Sequence, residues 1–134
     1  MYTENLKDLI PKNKFDNSNI ESLMLLQETD LKQLLPELIL WIADFNWPIA
    51  TELIPVLIKY PDSIIVTIKN VLKQSEEDAE LKHCVISQLI PNLPSKYQDI
   101  LLKDIERIVK EPTESEIHES VVEEAFNFLK NRKK

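Results

Sequence analysis

The chain has 134 residues, 43% of them hydrophobic and 29% charged, with a formal net charge of −7, no glycine and one cysteine. That balance fits a single globular unit with its own core and excludes extended disorder. The acidic charge disfavours phosphate backbones and anionic membranes, and the missing glycine excludes P-loops, Rossmann fingerprints and glycine-bearing nucleophile elbows.

Apolar residues recur at helical rather than alternating spacing, and the pattern predicts eight helices. A short first one falls near residues 5–10. Ser18 and Glu21 precede an apolar run at 23–26, and Asp30 and Gln33 precede Leu34, Leu38 and Trp41. Asn46 is placed to cap a helix carrying Trp47, Ala50, Leu53 and Leu57, and Asp62 to cap one carrying Ile65, Ile68 and Leu72. Ser75 and Asp78 open a helix with Leu81, Cys84, Val85 and Leu89. Ser95 with Gln98 offers a capping box ahead of Leu101, Ile105 and Ile108. Thr113 with Glu116 offers a second ahead of Ile117, Val121, Ala125 and Phe128, which predicts one helix over 113–131. Pro48, Pro61, Pro94 and Pro112 sit at helix boundaries. Pro36 and Pro55 lie inside apolar runs, where a proline costs about 3 kcal/mol or more, so those helices are expected to kink or begin later.

Starts near Asp30, Asp62 and Ser95 recur at roughly 32 residues, with Asn46, Ser75 and Thr113 interleaved, the interval of helix pairs in an α-solenoid. The fold read from this is all-α: a short HEAT-like solenoid of about three antiparallel helix pairs with N-terminal capping helices, one domain over 1–134. No run approaches the roughly 18 apolar residues of a membrane span, and residues 1–14 lack the apolar stretch of a signal peptide. Cys84 has no disulfide partner within the chain, so a cytoplasmic location is expected.

The run Trp41-Ile42-Ala43-Asp44-Phe45-Asn46-Trp47-Pro48-Ile49-Ala50 carries a W-x-x-D-x-N-W-P-I-A motif. It resembles the signature of a family of small bacterial HEAT-like proteins classed as a domain of unknown function. Arg107-Ile108 and Pro112-Thr113-x-x-Glu116 resemble that family's C-terminal motif, giving similarity over roughly residues 31–129. The resemblance implies a fold and brings no activity with it. In physical terms the motif reads as a joint: Asp44 accepts from amides of the turn, Asn46 caps the next helix, and Trp41 and Trp47 bracket it. The functional alternative places Asp44, Asn46 and Trp47 around a recognition groove.

Other constellations point to structure before chemistry. His83 and His118 show no metal-ligand spacing, so neither a metal nor a cofactor is expected. Cys84 shares the apolar stripe of Leu81 and Val85, the place of an inert core cysteine. Glu116, Glu119 and Glu123 fall on one helical stripe, expected to be solvated or to serve as an acidic docking stripe. Phe126 turns away from the Ile117 face, and is expected either to pack against a neighbouring element or to mark an exposed contact patch. Lys130, Arg132, Lys133 and Lys134 suit the C-terminal end of a helix.

The expected function is a non-enzymatic protein–protein interaction module, immunity or antitoxin-like in one version, with a basic protein partner. Neither nucleic acid nor membrane is expected as a partner. Two alternatives stand beside it. One is a HEAT-like DNA-repair glycosylase using Asp44 with Trp41 or Trp47; the other is a homodimer closed through Phe126.

Overall fold

The computed structural model describes residues 2–132, with side chains from Leu6 onward; Lys133 and Lys134 of the basic cluster lie outside the described residues. A 3-10 segment, Tyr2–Leu9, leads to a short α1 (Ile20–Met24). Helix α2 (Glu28–Leu38) tightens into a 3-10 turn at Ile39–Ile42, and α3 (Pro48–Leu57) and α4 (Pro61–Leu72) follow. Helix α5 (Ala79–Cys84) continues through a π turn, Val85–Leu89, and a 3-10 turn, Ile90–Asn92. The rest is α6 (Ser95–Ile100), α7 (Leu102–Lys110), α8 (Glu114–His118) and α9 (Val121–Arg132). Among the described residues there is no strand, and no helix is long and apolar enough to cross a membrane.

The prolines act by position. Pro48 and Pro61 open α3 and α4, where a missing amide proton costs nothing. Pro36 and Pro55 stay inside α2 and α3, each in the last turn. Both are exposed, and so are Lys32 and Thr51, whose carbonyls lose the amide partner four residues on. Neither helix begins later to avoid its proline; α2 begins earlier than Asp30.

Helix α1 packs on α3, α2 on α4, α4 on both α6 and α7, and α7 on α9. Leu38, Ile49, Leu53, Ile64, Ile68 and Ile105 are fully buried in the core, each contributing about 1.5–3 kcal/mol of apolar burial. Polar ties between helices repeat one interval. Ser63 donates to Glu28 at 2.6 Å across 35 residues, and Lys69 to Asp104 at 2.8 Å across 35. Arg132 donates to Gln98 at 2.8 Å across 34 residues.

The C-terminal helix departs from its predicted course. Thr113 and Glu116 form the capping box: Thr113 N–H donates to Glu116 Oε1 at 2.9 Å, and Glu116 N–H to Thr113 Oγ1 at 3.3 Å. Yet the chain breaks after His118, and Ser120 adopts φ 61°, the left-handed region that costs an L-residue about 1–2 kcal/mol. Ile117, placed by periodicity on the apolar face, is 58% exposed, whereas Val121, Ala125 and Phe128 are buried. The reason is Glu116. It points inward, so its neighbour one residue on, about 100° around the helix, points out.

Glu116 was expected to be solvated; it is fully buried. Its carboxylate accepts from Lys82 Nζ at 2.7 Å and from Arg107 Nη1 and Nη2 at 2.6 and 2.8 Å. Lys82 is also fully buried and donates to the carbonyls of Lys73 and Ser75 at 3.1 and 2.9 Å. Arg107 closes the set on the Leu72 carbonyl at 2.7 Å. Burial alone would push the Glu116 carboxyl up, but the hydrogen bonds from Arg107 and Lys82 outweigh it and hold the group at about 2. From the α4–α5 loop, Glu76 accepts from the Ser115 and Glu114 amides at 2.8 and 3.3 Å, capping α8 a second time.

Other expected caps take different bonds. Pro94, not Ser95, precedes α6, and Gln98 Nε2 donates to the Leu93 carbonyl at 2.8 Å. Asp62 lies within the first turn of α4, behind Tyr60.

Candidate functional site

The familiar motif forms the turn from α2 to α3. Asp44 Oδ1 accepts from the Asn46 amide at 2.9 Å, and the Asp44 carbonyl from the Trp47 amide at 3.0 Å. Trp47 is extended (φ −69°, ψ 130°), as a residue before proline must be, and it occupies the cap position expected of Asn46. The Asn46 side chain makes no cap bond and is exposed.

This geometry divides the motif between two faces. Trp41 and Trp47 stack against each other, ring centroids 5.7 Å apart and planes tilted by 58°, and line one concavity. Asp44 and Asn46 line another, an open groove of about 440 Å³ between the turn, α5 and the α8–α9 joint. Across it stand Glu80, His83, His118 and Glu119, with Ser87 and Gln88 of the π turn beyond. An adjoining groove of about 360 Å³ shares Glu80 and Glu119 and adds Glu76 and Asp78. Neither groove has a lysine or arginine among its lining residues.

His83 Nδ1 lies 3.0 Å from the Glu119 carbonyl, and Nε2 lies 3.5 Å from Glu124 Oε2. Cys84 lies beneath it, buried, its Sγ donating to the Ala43 carbonyl at 3.5 Å. Burial pushes the thiol up, and the nearby Asp44 and Glu80 charges push it further, the opposite of what a nucleophilic thiolate needs. Among the described residues no three His, Cys, Asp or Glu side chains converge to hold a metal ion.

Of the residues singled out in the sequence, the groove gathers Asp44, Asn46 and Glu119. Trp47 faces the other concavity, Glu116 is interior, and Glu123 and Phe126 are exposed on α9 and line neither groove. The acidic stripe of Glu116, Glu119 and Glu123 is therefore split by the break at Ser120. Glu80, His83 and His118, which the sequence did not single out for binding, line the same groove as Asp44. The repeat interval would have found the histidines, because their separation is the one joining Glu28 to Ser63.

An all-helical protein with a polar, acid-lined groove at a motif-bearing turn is the class these features define. The chain matches the model of a domain of unknown function, DUF5071, over residues 9–129, and it belongs to that family. No curated protein matches it.

Proposed function

We propose that the protein is a non-enzymatic interaction module, a short HEAT-like solenoid whose acidic groove receives a basic segment of a partner protein. One observation carries the reading: Asp44, Glu76, Asp78, Glu80 and Glu119 line two adjoining grooves without a lysine or arginine among the lining residues. A cleft lined by one sign of charge focuses its field, draws in the opposite sign and rejects its own. The HEAT-like arrangement is supported by helices packing on those two positions along and by ties recurring at 34 and 35 residues. A buried, lone thiol supports a cytoplasmic setting. Neutralising a basic partner, as an immunity or antitoxin-like protein does, is the concrete form of this role. The glycosylase alternative pairs Asp44 with Trp41 or Trp47, and both tryptophans line a different cavity from Asp44, which disfavours that pair.

Calorimetric titration with a lysine- and arginine-rich peptide, at low and high salt, tests the proposal against a glutamate-rich control. Binding is expected to weaken as salt rises. Neutralising Asp44→Asn, Glu80→Gln and Glu119→Gln together should weaken it about tenfold, three exposed charges each contributing about 0.5 kcal/mol. No binding at low salt, or equal binding by the triple variant, refutes the reading.

A further inference from the structure

The concavity on the tryptophan side has a different chemistry. It encloses about 430 Å³ between Ile10, Pro11, Glu37, Leu40, Trp41 and Trp47, and it shares no residue with the groove of Asp44. The two half-buried rings, tilted by 58°, give it ridged aromatic walls. Neither indole N–H has an acceptor among the described residues, and neither is a buried unsatisfied donor. An indole nitrogen donates and never accepts. The one charge among the lining residues is Glu37, paired with Lys7 at 2.9 Å, the two side chains being 47% and 77% exposed. Such a solvated pair contributes little and exchanges readily with another cation.

We propose that this groove docks a proline-rich segment of a partner protein in the polyproline II conformation, with an adjacent arginine or lysine meeting Glu37. A polyproline II strand has no internal hydrogen bonds, and its prolines carry no N–H, so it presents apolar ring edges and unpaired carbonyls. Tilted aromatic walls receive the rings, and unpartnered indole donors meet the carbonyls. A helix in the same place would arrive with its carbonyls already bonded and leave both indoles unmatched. The carboxylate at the edge sets the preference for a basic flank.

Trp41 and Trp47 are the chain's two tryptophans, so intrinsic fluorescence reports on this groove alone. The probes are synthetic proline-rich peptides of about twelve residues flanked by arginine, the same peptide flanked by glutamate, and an arginine-flanked version with glutamine in place of proline. The arginine-flanked proline peptide should give a saturable emission shift. The glutamate-flanked peptide should bind about threefold more weakly, and the proline-free one should not bind. Glu37→Gln, at an exposed position, should remove the difference between flanks. Trp47→Phe keeps an aromatic wall but loses its donor, and should weaken binding about fivefold with the helical circular dichroism intact. The proposal is overturned by an unchanged emission at millimolar peptide, or by equal binding of the proline-free peptide. Light scattering that shows a dimer whose dissociation on dilution shifts tryptophan emission would give the groove to a second copy and overturn it equally.

Discussion

Removing the charge of Glu116 is the sharpest perturbation available, because the side chain stands fully buried between two cations. In Glu116→Gln, Lys82 keeps its two carbonyl acceptors but loses its counter-charge in the interior, and Arg107 keeps at most one of its two bonds, to the single glutamine oxygen. Breaking one side of a buried ion pair costs about 3–5 kcal/mol. The acid-base properties of the group give a second route to the same quantity. The carboxyl lies at about 2 in the folded chain against an ordinary 4.5, so folding favours its charged form. A depressed carboxylate contributes stability that is complete above about pH 4.5 and is lost as pH falls towards about 2, roughly 3 kcal/mol in all. The two routes agree. A domain of this size is stable by about 5–15 kcal/mol and shifts its melting temperature by about 3 °C per kcal/mol, so a fall of about 10 °C is expected. Urea unfolding followed by circular dichroism at neutral pH, repeated down to pH 3, measures both effects. The variant should be weaker at neutral pH, with a flatter acid limb. A loss below 1 kcal/mol, or an acid limb as steep as in the parent chain, would refute the reasoning.

Two further outcomes follow from the break between α8 and α9. Ser120→Gly relieves a left-handed residue and should raise stability by up to about 1 kcal/mol, read as a higher urea midpoint with an unchanged slope; a lower midpoint would mean the serine side chain has a role its geometry does not reveal. Ile117→Ala at an exposed site should change stability by less than about 0.5 kcal/mol, while Val121→Ala in the core should cost about 2 kcal/mol. Equal costs at the two positions would restore the continuous helix.

The all-helical character, the Thr113–Glu116 box, the amide-accepting role of Asp44 and the interior place of Cys84 could be read from the sequence, because each is decided within about four residues of chain. What escaped depends on distant partners. Glu116 looked like one more carboxylate on a solvated stripe, since nothing near it in sequence says that Lys82, 34 residues earlier, waits inside. Ile117 and Val121 stand four apart, the spacing of one helical face, and only the inward pull on Glu116 turns the first of them outward. Asn46 and Ser95 resembled caps, yet the adjacent prolines move the helix starts and give the cap positions to Trp47 and Pro94. Asp44, Asn46 and Trp47 read from the sequence as a structural joint, or alternatively as the rim of one recognition groove. The five-residue turn at 43–47 sends them to two faces, which composition and periodicity cannot resolve.

The interior set around Lys82 also bears on how the C-terminal half assembles. Its members come from four places along the chain: the end of α4 with the following loop, α5, α7 and α8. Docking α5 without α8 leaves the Lys82 ammonium in the interior without its counter-charge, which is more costly than leaving it solvated. Helices α5 and α8 are therefore expected to come together, and come apart, as one cooperative unit.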